Sequence, residues 1–229
     1  VGVDRWLGAN RDFLLGHTAL IRQAMGHGPD RPPANPAVQF DNREDNHAAY
    51  LQANYGFAIG AIPVDGRIGV RHVRLESQLN GTSLIDGVET PVQTTRARNE
   101  WLPSFSANLS LREDLMLRLS HSQSITLPHF ADLNPQLALF ESTDTLPARG
   151  SGGNPDLAPV EAKNLDASLE WYFQDNALLS LAAFHRDVDG YVQIYAEDET
   201  IDGTTYQITR PRNTGSGTLR GVEIGYTQF

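Results

Sequence analysis

Asn164-Leu-Asp-Ala-Ser-Leu-Glu-Trp-Tyr-Phe173 is the stretch that decides the fold of this chain. Leu165, Ala167, Leu169, Trp171 and Phe173 fall on one face of a strand; Asp166, Ser168, Glu170 and Tyr172 fall on the other. One face is wholly apolar and ends in aromatics, and the other is polar and acidic. A strand standing between hydrocarbon and water needs that division, and aromatics collect where lipid headgroups begin. A half-buried strand of a soluble sandwich also alternates, so repetition along the chain has to separate the two.

The pattern repeats. His47–Phe57 sets Ala49, Leu51, Ala53, Tyr55 and Phe57 against Gln52 and Asn54. Arg67–Leu75 sets Ile68 and Val70 against Arg71, and Trp101–Leu111 sets Phe105, Ala107, Leu109 and Leu111 against Ser104, Ser106, Asn108 and Ser110. Leu115–Ser124, Ala177–Tyr195 and Thr218–Phe229 complete seven expected strands. Ala177–Tyr195 alternates least cleanly, and Tyr206–Asn213 is expected to extend the sheet beyond the membrane. Short turns are expected at Gly60–Gly66, Arg112–Asp114 and Gln174–Asn176, and long loops at Leu79–Arg98, Ile125–Val160 and Glu197–Gly203, the first of them a polar stretch that could also extend its two strands as a hairpin. Short and long connections therefore alternate, as in up-and-down membrane barrels with tight turns on one side and long loops on the other. The expected strands also exceed the five or six residues usual in soluble sheets. Both features favour an all-β, antiparallel up-and-down transmembrane β-barrel, present as an incomplete piece of about seven strands. Residues 1–40 stand apart as an outer loop region with a short helix in Arg11–Met25 and a Gly/Pro-rich loop at Gly26–Pro36; residues 41–229 are the barrel part.

Composition narrows the function. The 229 residues carry a formal net charge of -10 and no basic tract, which disfavours nucleic acid as a partner. Cysteine is absent, which excludes disulfide scaffolds, thiolate zinc sites and Cys nucleophiles. No apolar run is long enough for a spanning helix. The mean hydropathy of -0.36 does not argue against a barrel, whose strands alternate. The chain opens on Val1 with no signal peptide, so a processed or partial sequence is expected.

Six phrases, in order, carry a family resemblance. Glu44-Asp-Asn-His-Ala-Ala-Tyr-Leu-Gln52, Gly66-Arg-Ile-Gly-Val-Arg71 and Leu102-Pro-Ser-Phe105 are the first three. Leu117-Arg-Leu-Ser120 with Leu127-Pro-His-Phe130 forms the fourth, Gly153-Asn-Pro-Asp-Leu-Ala-Pro159 the fifth and Leu219-Arg-Gly-Val-Glu223 the sixth. Together they resemble the barrel region of TonB-dependent outer-membrane receptors over residues 38–229. The chain departs from the family's phrases at Ser106, where Asn is usual, and at Leu127, where Arg is usual. The resemblance implies a twenty-two-stranded barrel around an N-terminal plug, of which this chain supplies about seven strands, no plug and no TonB-contacting box. It implies a bacterial outer-membrane location and import of a surface-bound siderophore, oligosaccharide or similar substrate with TonB-derived energy. The implied partners are the TonB complex through the plug, outer-membrane lipid and lipopolysaccharide. The phrasing is closest to proteobacterial receptors linked to carbohydrate uptake. The alternative is a soluble β-rich glycan-binding module.

Candidate chemistry is sparse. The seven histidines show no metal-ligand spacing, and a metal site, cofactor or enzymatic activity is not expected. Asp166, Glu170 and Glu223 could form an acid pair for hydrolysis, but on the lumen side they are expected to pair with Arg71, Arg118 or the plug. Arg71, Arg118, Glu170 and Glu223 are the substrate-contact candidates. Gly221 and Gly225 are expected to let the wall approach a plug or neighbouring strand. Glu197-Asp198-Glu199 with Asp202 reads as a solvated loop tip that could gather cations. Phe229, which imitates a terminal barrel aromatic, reads as the point of a truncation.

Overall fold

The structure is a computed structural model that describes residues 10–30, 38–85 and 87–228. The chain divides into two units, Val1–Asn35 and Pro36–Phe229. In the first, helix α1 (Arg11–Gly16) is capped by the Asn10 side chain, which accepts from the Phe13 N–H at 3.0 Å. Helix α2 (Thr18–Ala24) follows after a break at His17, so the single expected helix is two short ones. Phe13, Leu14, Leu15 and Leu20 are exposed on them. The end of the expected loop, residues 31–36, and Phe229 lie outside the described residues.

The second unit is one sheet of β1 (Asp41–Ile59), β2 (Ile62–Ile85), β3 (Val88–Arg112), β4 (Leu115–Thr126), β5 (Leu137–Phe140), β6 (Arg149–Gly152), β7 (Val160–Gln174), β8 (Ala177–Ile201) and β9 (Thr204–Gln228). Its order is β1-β2-β3-β4-β7-β8-β9-β6-β5, with β5 returning to β2. The seven long strands are the seven expected ones. They pair antiparallel with their neighbours in sequence, apart from β4 with β7 across the long loop. Connections therefore alternate between a turn end and a loop end. A soluble sandwich would need two packed sheets; the described strands form one.

Register assigns every wall residue to a face. Ala53↔Ile68, Ile68↔Phe105, Phe105↔His121, His121↔Leu165 and Leu165↔His185 share one face, and so do Leu117↔Leu169, Leu169↔Leu181 and Leu181↔Ile224. The opposite face holds Arg67↔Ser106, Ser106↔Ser120, Ser120↔Asp166 and Asp166↔Phe184, together with Ala182↔Glu223. The first is the apolar outer face, the second the polar inner face. Aromatics gather on the outer face at the turn end: the Trp171 and Phe173 rings lie 5.5 Å apart, and Phe173 and Tyr226 6.2 Å apart. At the other margin the Trp101 ring lies against His72, tilted to it with centroids 4.5 Å apart. On β3 the outer row from Trp101 to Leu109 covers about 26 Å at about 3.3 Å per residue, or roughly 20 Å of height at a tilt near 40°.

Several strands are longer than the sequence patterns indicate. β3, β8 and β9 have 25 residues each, about 80 Å at about 3.3 Å per residue, and so run well past a hydrocarbon layer of about 30 Å. Pro103 thus lies within β3, not near its start; it sits just beyond Ser104↔Ser122, where the described β3–β4 ladder stops. The expected loop at Glu197–Gly203 is the end of β8 plus a turn at Asp202-Gly203, whose φ angles are 48° and 85°. Bulges near Gly190 and Tyr191 break the register of β8 with β9, which explains the poor alternation there.

At the loop end the ring closes. The long connection between β4 and β7 contains the β5–β6 hairpin, which the sequence patterns do not reveal. β5 runs parallel to β2 at Leu84↔Ala138 and Ile85↔Leu139, and β6 parallel to β9 at Arg149↔Gln207 to Ser151↔Thr209. Eight strands thus make a closed circuit, with β1 laid along β2. Under this closure lie two small cores: Leu139, Ala148, Tyr206 and Ile208, and Leu79, Leu133 and Leu157 with Val192 against them.

Candidate functional site

The inner face of the wall lines an open concavity of about 490 Å³ in which polar groups stand among apolar ones such as Leu119 and Leu219. Arg118, Asp166, Arg186 and Glu223 supply its charges, Asn108, Ser106, Ser120 and Ser168 its neutral polar groups, and Phe184 its aromatic surface. Alternation places them: each sits on a strand whose other face is apolar.

A ladder of side chains crosses this face near the turn end. Asn108 Nδ2 donates to Asp65 Oδ2 at 2.9 Å. Arg118 Nη1 donates to Asn108 Oδ1 at 3.1 Å, and its Nε donates to both Glu170 oxygens, at 3.0 and 3.1 Å. Glu170 also accepts from Tyr172 Oη at 2.8 Å and Ser168 Oγ at 3.4 Å. β2, β3, β4 and β7 are joined through one carboxylate–amide–guanidinium–carboxylate chain. The expected pairing of Glu170 with Arg118 is therefore present. Charge-assisted bonds of this kind hold side chains in fixed positions.

The other candidates are placed differently. Glu223 lines the same concavity, opposite Ala182. Arg71 shares the inner face with Tyr50 and Leu102 but does not join the ladder; among the described residues it forms no ion pair. Gly221 and Gly225 make room for neighbours within the sheet. A Cβ at Gly221 would meet the Phe184 ring at 2.6 Å, and one at Gly225 would meet Ser180 Oγ at 2.6 Å.

Beyond the wall the charges are used structurally. Arg96 Nε donates to Asp156 Oδ1 at 2.8 Å and Arg98 Nη2 to the Asp156 carbonyl at 2.9 Å, which clamps the 154–159 segment. Asn213 brackets Ala158 from both sides of its peptide, at 2.8 and 3.0 Å. Glu199 accepts from both Arg210 and Arg212, and Arg212 also pairs with Glu197 at 3.3 Å. Glu199 is therefore neutralised near the end of β8, while Glu197, Asp198 and Asp202 stay exposed at the tip. Among the described residues no cluster of His, Asp or Glu is arranged to hold a metal. The sequence reading missed Asp65, Asn108 and Tyr172; their inner-face parity beside Arg118 and Glu170 was the available signal.

Comparison with known proteins agrees with this geometry. No curated protein matches the chain. Among solved structures it is similar to the ferric-catecholate import receptor Fiu from K12 E. coli, with a TM-score of 0.50 and 19% identity over 82% of this chain and 26% of that one. It is also similar to the siderophore receptor PirA from Acinetobacter baumannii (0.44, 14% identity, 81% of this chain and 34% of that one). A third is a mutant ferric enterobactin receptor, PfeA, from Pseudomonas aeruginosa in complex with enterobactin (0.46, 14% identity, 80% and 33%). The chain thus spans about a quarter to a third of their length, and the likeness to Fiu concerns the fold alone. The family model described as TonB dependent receptor-like, beta-barrel matches residues 1–229. Since that match runs the whole length of the sequence, the chain belongs to the TonB dependent receptor-like β-barrel family.

Proposed function

We propose that this chain is part of the wall of an outer-membrane active transporter in a bacterium. The receptor takes a small molecule of the siderophore or oligosaccharide class at the loop end and imports it with energy relayed by TonB through a plug domain. The observation that carries this reading is the division of the wall into an apolar outer face, edged by aromatics, and a polar inner face. Such a wall suits a barrel with lipid outside and a hydrated lumen inside. On this reading residues 1–40 belong to an outer loop region, and lipopolysaccharide surrounds the loop end.

The inner face would then present Arg118, Glu170, Glu223 and Arg71 to substrate or plug. Arg118 and Glu170 neutralise one another, so Arg71 and Glu223 are the freer contacts. The wall's role is binding and passage; the family and the similar structures are receptors.

Orientation supplies the test. These 229 residues hold no cysteine, so single cysteines can be placed at Asp144 and at Asp114 in a full-length receptor from which any other cysteine has been replaced. On intact cells an impermeant maleimide should label the Asp144→Cys variant and spare Asp114→Cys. The reverse pattern would reject the proposed sidedness, and recovery of the receptor in the soluble fraction would reject the membrane wall itself. Uptake of radiolabelled ferric siderophores and maltodextrins by cells with and without the receptor would then separate the two substrate classes.

A further inference from the structure

Three charged side chains of the inner concavity stand without a polar partner. Among the described residues the Asp166 and Glu223 carboxylates make no hydrogen bond or ion pair. The Arg186 guanidinium makes none either; it rests over the Phe184 ring, 5.6 Å from the ring centre. Arg118 differs, being tied to Glu170. Register sets the spacing. Asp166 is the partner of Phe184, Arg186 follows two residues along β8, and Glu223 follows two residues after Gly221, the partner of Phe184 on β9. With strands about 4.8 Å apart and alternate residues about 6.7 Å apart, the backbones of Asp166 and Glu223 are separated by roughly 12 Å. That span is too wide for the two carboxylates to touch, and one small molecule can bridge it.

Cations do not outnumber acids here. The lining carries Arg118 and Arg186 against Asp166 and Glu223. Just outside it Arg67, beside Ser106, is offset by Asp65 and Glu170, which bind Asn108 and Arg118. A multiply charged anion needs a cationic excess to replace its water, and the concavity has none. A neutral, hydroxyl-rich ligand has other needs. Its hydroxyls donate and accept alike, so they can give to a carboxylate and take from a guanidinium, and its C–H faces need apolar surface. Both are present: Asp166 and Glu223 accept, Arg186 donates, the Ser120 hydroxyl does either, and Phe184, laid across the bare Gly221, is apolar. The volume of about 490 Å³ falls in the range of small-molecule sites.

We propose that the concavity binds a neutral oligosaccharide. Asp166 and Glu223 accept from its hydroxyls, Arg186 donates to them, and a sugar ring rests its C–H face against Phe184. The inference rests on the transporter reading above and chooses between the two substrate classes named there. It adds Asp166, Phe184 and Arg186 to Glu223 as contact residues. Arg118 and Glu170 become positioning residues, since each already holds the other.

The test is isothermal titration calorimetry on the full-length receptor in detergent. The probes are neutral gluco-, xylo-, fructo- and galacto-oligosaccharides, an anionic ferric tris-catecholate and a neutral ferric trihydroxamate. Wild type should bind one of the glycans in preference to both chelates. Asp166→Asn and Glu223→Gln should each weaken that glycan about tenfold, the scale of one lost hydrogen bond to a charged group. The same substitutions remove negative charge, so any binding of the tris-catecholate should tighten; loss of both together would mark a merely structural effect and count against the site. Glu223 is exposed and Gln matches its shape, so Glu223→Gln decides the matter if Asp166→Asn assembles poorly. Wild-type glycan affinity in Glu223→Gln would overturn the inference, as would binding of no glycan or preference for either chelate. A receptor that imports a ferric chelate would sink this inference and leave the transporter reading standing. A receptor absent from membranes would sink the proposed function.

Discussion

The same strands build two regions of opposite polarity. In the wall, Ile68 and Val70 of β2 point outward, and Ile68 is 56% exposed. A few residues on, Val73, Leu75 and Leu79 point inward and are 4%, 5% and 1% exposed. The register of β2 with β1 and with β3 is unbroken across this interval. No bulge turned the strand over; the sequence itself moved its apolar residues from one parity to the other. On the outer face beyond the switch stand Arg74 and Glu76, paired at 2.6 Å. On the inner face Leu79 packs with Leu133 and Leu157 of the folded loop. The lesson is that burial in a barrel strand is defined by its surroundings. Where hydrocarbon is outside, apolar side chains go outward; where water is outside, they go inward and need a core.

The comparison breaks most visibly at Leu79. Leu79→Ala in the full-length receptor is expected to destabilise the loop-end region by about 2–5 kcal/mol, as for other buried Leu truncations. Amide hydrogen exchange should then quicken in β5 and β6 while amides at Leu165–Leu169 keep their protection. Equal quickening in both would show that the two regions melt as one.

The wall is tested by charge. Leu169→Arg forces a cation toward hydrocarbon and should cost about 2–4 kcal/mol in a bilayer near mid-membrane, whereas Ser168→Arg, on the inner face, should cost much less. A reversible unfolding titration in lipid reads both. Matching losses would mean the strand is slipped by one residue, which exchanges the faces.

A smaller effect sharpens the boundary between the regions. Arg96 and Asp156 are exposed, so their coupling in a double-mutant cycle is expected at about 0.2–1 kcal/mol and should shrink as salt rises. A coupling that stays constant in high salt would place the clamp in a drier setting than its exposure indicates.

Much of the wall was legible because alternation is local. Leu165 to Phe173 declares its two faces without knowledge of any partner, and Arg118 and Glu170 follow from parity. The loop end was not legible, for a physical reason. Leu137-Ala138-Leu139-Phe140 has no alternation to read, and it is a strand because β6 on one side and the end of β2 on the other receive it. The stretch Leu79–Arg98 reads as a polar loop with a hairpin extension as its alternative, because its apolar parity is inverted; the hairpin is what the chain forms. One local signal does mark a strand end: Asp202-Gly203, with both residues at positive φ, is a strong hairpin turn, and it joins β8 to β9 where the acidic loop was expected. The neutralisation of Glu199 by Arg210 and Arg212 follows once that hairpin is recognised.

The closure of the ring at the loop end has a consequence for how the chain assembles in time. Most wall strands meet their neighbours across turns of two residues, so each hairpin can zip from its own turn. The closing contacts span far more sequence: Ser83 receives Leu137 over 54 residues, Asn213 receives Ala158 over 55, and Arg96 reaches Asp156 over 60. Long separations carry a larger entropic cost before any contact rewards it, and non-local pairings slow folding. The hairpins are therefore expected to form early and the seam of β5 and β6 to be sewn last. Pulsed hydrogen exchange during refolding would show this as late protection at Leu137–Phe140, and simultaneous protection with β7 would contradict it.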